Sequence, residues 1–128
     1  TIAGVISASD MRNVVIGWLT NWNVSGMIMA PLSSILMSAA TASTTAGATI
    51  ASASFANTIS ATGVAGIWGA ALTNAGATVL DHLPHGSFFH ATSGSVSMSF
   101  KERLHIIPFE SLVGLTLTLS TLLCAAVL

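Results

Sequence analysis

Charge is what this sequence has least of. Asp, Glu, Lys and Arg together make up 5% of its 128 residues, against roughly 25% in an ordinary soluble domain. From residue 13 to residue 80 there is no Asp, Glu, Lys, Arg or His at all. A soluble globule cannot clothe its surface in that way, so that class is excluded, and the mean hydropathy of +0.82 agrees. The formal charge of −1 and the lack of a basic stripe exclude a nucleic-acid partner bound by its phosphates. The single cysteine, Cys124, excludes an internal disulfide, and its apolar neighbours predict a small buried hydrophobe. No G-x-S-x-G elbow and no H-E-x-x-H pair occurs, which removes the usual signatures of a hydrolase and of a zinc protease. No 20-to-50-residue repeat is visible.

What remains reads as an integral membrane segment. The chain opens at Thr1 in mid-pattern, with no charged leader. This argues against a signal peptide and predicts a part of a longer membrane protein. Residues 1–22 read as a helix that ends one span, with Asp10 and Arg12 two apart near an interface and Trp18 and Trp22 on one face. "NWN" then makes a turn. Residues 24–40 form an apolar helix with Pro31 inside it, which predicts a kink. In residues 38–63, 22 of 26 positions are Ser, Ala, Thr or Gly. Disordered segments of that polarity carry charge and proline, and this one carries neither. In a membrane such a composition serves close helix packing or replaces water around a polar solute. Asn57 is its most polar residue. A further hydrophobic helix spans 62–80, and "SLVGLTLTLSTLLCAAVL" (111–128) is an uncharged run of 18 residues, nearly enough to cross a hydrocarbon core of about 30 Å. Lys101 and Arg103 just before it favour a cytoplasmic loop there.

The exception to this monotony is "VLDHLPHGSFFHATSG" (79–94), which gathers Asp81, His82, His85 and His90. Zinc needs about three converging ligands, but Pro84 and Gly86 break any helix that would align His82 with His85, so no metal site is expected. A solvated interfacial loop is one reading. The other is a transport site, since transporters break helices at midmembrane and bind substrate on the exposed ends. Asp81 follows the uncharged helix, and "LPHG" must interrupt it. A carboxyl and an imidazole placed there can carry a proton.

The residues "LDHLPHGSFFHATSGSV…KERLHIIPFESLVG" resemble the C-terminal region of the gluconate permease family of proton symporters, within the ion-transporter superfamily. Leu80, Asp81, Leu83, Pro84 and His85 match its Leu-Asp-x-Leu-Pro-His signature. Lys101 and Glu102 match the loop after it, and Thr41, Ser43 and Thr45 of "TASTT" match a Thr-Gly-Ser-Ala-Thr hairpin. Ala42 stands where the family has glycine, and Gly86 where it has asparagine. The resemblance covers about residues 25–128. It implies inverted repeats, a re-entrant hairpin and a dimeric scaffold, with Thr41, Ser43, Thr44 and Thr45 hydrogen-bonding substrate oxygens and Asp81 and His85 serving proton coupling or gating.

The expectation is therefore an all-α, polytopic transmembrane fragment, the C-terminal part (1–128) of a larger transporter. It has a broken hairpin at about 38–63, interrupted between Thr41 and Gly47, a signature loop at 80–94 and a last span at about 107–128. Its substrate is gluconate or a similar sugar acid, moved with protons across the bacterial cytoplasmic membrane without cofactor, metal or enzymatic step. Substrate would meet Thr41, Ser43, Thr44, Thr45 and Asn57, and Asp81 with His85 would handle the proton, His82 and His90 being lesser candidates. Glu110 is expected to be an interface residue that caps or pairs locally. The partners are the lipid bilayer, the N-terminal part of the same protein and a second copy, with no nucleic acid. A purely structural or anchoring membrane domain is the competing class, with a membrane metallohydrolase third.

Overall fold

The computed structural model describes residues 25–128, together with Val5, Asp10, Asn13, Val14, Gly17, Trp18 and Asn21. The expected helix over 1–22, with its Asp10–Arg12 and Trp18–Trp22 pairs, lies largely outside the described residues. Among the described residues all regular structure is helical: α1 (Gly26–Thr41), α2 (Thr44–Ala61), α3 (Gly66–Ala77), α4 (Ser87–Ser95) and α5 (Phe100–Val127).

The boundaries follow local chemistry. The expected interruption falls at Ala42 and Ser43. Ala42 is left-handed (φ 46, ψ 45), and Ser43 is extended, its Oγ accepting from the Ala46 N–H at 3.3 Å as the cap of α2. Gly63 (φ 88) turns the chain after α2. The helix expected over 62–80 is shorter at both ends. It begins only after Ala65, and at its end the Thr78 hydroxyl donates to the Ala75 carbonyl at 2.8 Å. α5 begins earlier than the expected last span, because Ser99 and Glu102 form a reciprocal capping box before Phe100. The stretch with Lys101, Glu102 and Arg103 is thus the first turn of one long helix and not a separate loop. Its 28 residues reach about 42 Å.

α1 is the hub. It packs on α2 and α3, α3 packs on α5, and α4 leans on α5. The apolar core gathers Met29, Met37, Ile50, Phe55, Ile59 and Leu72. Close approach is carried by glycines, as small-residue packing in membranes requires. A Cβ on Gly47 would lie 2.7 Å from the Ser38 backbone, and one on Gly76 would lie 2.7 Å from the Pro31 Cα. Ser33, Ser34 and Ser38 are fully buried, and each donates its hydroxyl to a carbonyl three residues back in its own helix. Polar atoms are thereby hidden within an apolar interface at little cost.

Among the described residues α5 is the one helix long and apolar enough to cross a membrane, by length and composition. α1 is apolar but has only 16 residues, about 24 Å, short of a hydrocarbon core of about 30 Å. The polytopic expectation thus narrows, among the described residues, to one candidate span and one short apolar helix. Leu112, Val113, Leu117, Leu119 and Leu123 of α5 are exposed. So is Cys124, against the expectation of burial, because it lies on this outward face.

The glycine contacts give a stability prediction. Gly76→Ala pushes a methyl group into the rigid backbone of Pro31 and should cost about 1–3 kcal/mol, read as a fall in the thermal unfolding midpoint in detergent. Gly66→Ala meets open space and should leave the midpoint unchanged or higher. Equal effects at the two positions would refute the close-packed α1–α3 interface.

Candidate functional site

The break between α1 and α2 is where the polar groups gather. A left-handed conformation at a residue with a Cβ costs about 1–2 kcal/mol, so Ala42 needs support from outside the hairpin. That support is the loop between α3 and α4. Gly86 lies so close that a Cβ on it would sit 2.5 Å from both the Cβ and the carbonyl oxygen of Ala42. Ala42 is buried under this contact, at 3% exposure. A larger side chain at position 86 would not fit this approach.

The same loop carries Asp81 to the start of α2. The Thr44 hydroxyl donates to Asp81 Oδ2, so the carboxylate stands beside the first residue of a helix, where the backbone dipole favours negative charge. Its other oxygen, Oδ1, lies 3.1 Å from His82 Nδ1, and His82 Nε2 lies 2.9 Å from Ser111 Oγ on α5. His82 is 2% exposed and Asp81 is partly open, at 20% of its side chain. With Asp81 ionised, Nδ1–H donates to the carboxylate and Ser111 donates its hydroxyl to Nε2. The result is an unbroken chain, Thr44–Asp81–His82–Ser111, from the tip of the hairpin to the candidate span.

A second polar set lies one residue away along α5. Arg103, 2% exposed, donates to Glu110 through both terminal nitrogens, at 2.6 and 3.0 Å, and through Nε to the Thr92 hydroxyl at 3.1 Å. Its guanidinium faces the rings of Phe89 at 5.0 Å and Phe88 at 5.9 Å, within cation–π range. A cleft of about 370 Å³ lies between the two sets, lined among others by Thr78, Asp81, His82, Phe88, Phe109 and Glu110. Among the described residues no three His, Cys, Asp or Glu side chains converge as metal ligands would.

The expected site residues divide. Thr44 and Asp81 are in direct contact. Ser43 is used as a helix cap, and Thr41 is buried with its hydroxyl donating to the Met37 carbonyl at 2.9 Å, so both shape the break. Thr45 is exposed at the start of α2. Asn57 does not join them: it is exposed on α2, thirteen residues and about 20 Å along the helix from Thr44. His85 is exposed and does not reach Asp81, and His90 is exposed with its ring edge-on to Phe89 at 5.3 Å. The imidazole that meets the carboxylate is that of His82, because the turn at 81–84 points adjacent side chains toward α5 and the signature histidine outward. Glu110 pairs locally, as expected. Its partner Arg103 is seven residues earlier, two turns along the same helix face. That spacing was available in the sequence, whereas Ser111 carried no signal there.

A protein of Haemophilus influenzae named an uncharacterized transporter is 54% identical to this chain over 123 residues, which is 95% of the chain and 29% of that protein. The chain thus spans under a third of the length of the relative it matches. No protein-family model matches the chain, and no solved structure does.

The buried pair gives the prediction here. Glu110→Leu leaves the buried Arg103 without its anion, and stranding a buried charge in this way costs about 3 kcal/mol. Arg103→Leu combined with Glu110→Leu should recover most of that loss. The check is a double-mutant cycle on thermal stability in detergent. Additive losses would mean that the two side chains do not act as a pair.

Proposed function

We propose that the chain is the C-terminal membrane part of a secondary transporter that moves gluconate or a similar sugar acid together with protons across the bacterial cytoplasmic membrane. The reading rests on one observation above all: Asp81 is hydrogen-bonded to Thr44 at the first turn of a helix that begins at a break. The relative named a transporter supports a transport role, and the length and composition of α5 support a membrane setting. The sugar acid and the proton come from the resemblance of the Leu-Asp-x-Leu-Pro-His stretch.

The proposed coupling draws on the contact of Asp81 with Thr44. The start of α2 is an anion site in waiting, with its first backbone N–H groups and the Thr44 and Thr45 hydroxyls. While Asp81 is ionised, its own carboxylate occupies that end. When Asp81 takes a proton, the site loses its negative charge and becomes available to the carboxylate of the substrate. Proton and anion then bind together, which is symport. His82, held by Ser111, is the partner that receives or returns the proton of Asp81. His85, next to the Gly86–Ala42 contact and exposed, is positioned to gate the opening. Thr41 and Ser43 hold the break in shape. The carboxylate-bearing half would be completed by the N-terminal part of the same protein and by a second copy in a dimer.

The experiment is accumulation of labelled gluconate in vesicles containing the full-length protein, at several external pH values. Asp81→Asn, a permanent mimic of the protonated state, should abolish proton-driven accumulation while retaining exchange of internal for external substrate. His85→Ala should lower uptake more than His90→Ala. Wild-type accumulation with a wild-type pH profile in both Asp81→Asn and His85→Ala would reduce the loop to a solvated connector and end this reading.

A further inference from the structure

The hydroxyls of this chain behave in two ways. Those of Thr41, Thr62, Thr78, Thr92, Thr118 and Thr121 donate to carbonyls three or four residues back in their own helices. That is how a helix hides a hydroxyl in an apolar setting. Thr73 does not. It is 3% exposed, and among the described residues its hydroxyl makes no hydrogen bond. The exposure it retains is into a groove between α2 and α3, where it lines both of two adjoining hollows of about 200 and 420 Å³. Beside it on the wall are Thr49, Ser52 and Asn74, with Ala48 and Ala70 leaving room between them. Among the described residues no ionisable side chain borders the groove.

Among the described residues no buried side-chain oxygen lacks a partner, so the unbonded Thr73 hydroxyl opens onto the groove, and a groove of several uncharged donors and acceptors is a surface for a ligand that carries many hydroxyls of its own. Direction matters too. Thr45, Thr49 and Ser52 are spaced four and three apart and share one face of α2, and all three are exposed. Thr49 stands about 7–8 Å along the helix from Thr44, which holds Asp81. That face of α2 runs toward the end of the helix at which Thr44 holds Asp81. We infer that the α2–α3 groove binds the hydroxyl-bearing carbon chain of a polyhydroxylated organic acid, with Thr49, Ser52, Thr73 and Asn74 as its hydrogen-bonding wall and the acid group directed to the start of α2. For its acid end the inference rests on the function proposed above. For the chain it rests on the groove alone.

Equilibrium binding to the purified full-length protein tests it, with gluconate and hexanoate as probes: the same number of carbons, with and without hydroxyls. The wild type binds gluconate more tightly. Thr73→Val, which keeps the shape and removes the hydroxyl, weakens gluconate by roughly three- to tenfold and leaves hexanoate unchanged, and Thr73→Ser restores the preference. Asn74→Ala, at an exposed position that folding does not depend on, weakens gluconate in the same way. In a background without other cysteines, Ser52→Cys is labelled by a water-soluble thiol reagent and protected by gluconate but not by hexanoate. The inference is overturned if gluconate does not bind, if Thr73→Val and Asn74→Ala leave its Kd unchanged, if both probes weaken together, or if Ser52→Cys resists labelling with and without gluconate, as it would under another helix of the same protein. Proton-driven accumulation on the same samples separates the two claims. Binding with this pattern but without accumulation removes the symport and keeps the groove. Accumulation without the pattern does the reverse.

Discussion

The contact between Gly86 and Ala42 is the constraint on which the rest of this structure depends. The run of hydroxyl and small residues between Thr41 and Gly47 favours a break, and Thr41 and Ser43 shape it from within the hairpin. The left-handed turn at Ala42 still carries a backbone cost. The loop from α3 to α4 seats its glycine on that turn, and the close fit buries both. Once the loop is anchored there, Asp81 has only one helix end within reach. His82 is carried toward α5, and the histidine three residues later is left on the outside. A single approach between two backbones thus selects which carboxylate and which imidazole become neighbours.

The economy of polar groups follows from the setting. In an apolar environment an unpaired donor or acceptor is expensive, and every hydroxyl of α1 and most of those on α4 and α5 donate to a carbonyl of their own helix, whereas those along α2 do not. The ionisable groups near the hairpin are arranged with the same strictness. Arg103 is held by Glu110, Thr92 and two phenylalanine rings, so its charge is spent locally and ties α4 to α5. Asp81, in contrast, is held by neutral groups and one imidazole.

Much of this was legible in the chain. Composition alone gave the helical, membrane-like class, because a span of residues without ionisable groups has few other physical solutions. Hydroxyl and small residues without bulky partners marked the break between Thr41 and Gly47, and it falls at Ala42 and Ser43. The capping box of Ser99 and Glu102 is also written in the sequence, although the charges around it suggested a loop. Asn57 misled because polarity indicates that a residue is unusual and not where it lies. It is on the same helix as Thr44 but several turns away.

What the sequence determined by itself was local: which segments are helical, where a helix must fail, and that Asp81 and its histidines are the chemistry-bearing group. Those features arise from side-chain volume, backbone freedom and periodicity, which act over a few residues. The tertiary structure alone decided that Thr44 meets Asp81 across 37 positions, that His82 and not His85 turns inward, that Ser111 completes the chain, and that Thr73 opens into a groove. These pairings depend on the path of the backbone between distant elements. That path is set by backbone approaches at Gly47, Gly76 and Gly86 so close that a Cβ there would lie under 3 Å from its neighbour, a fit that no residue type announces before the elements are packed.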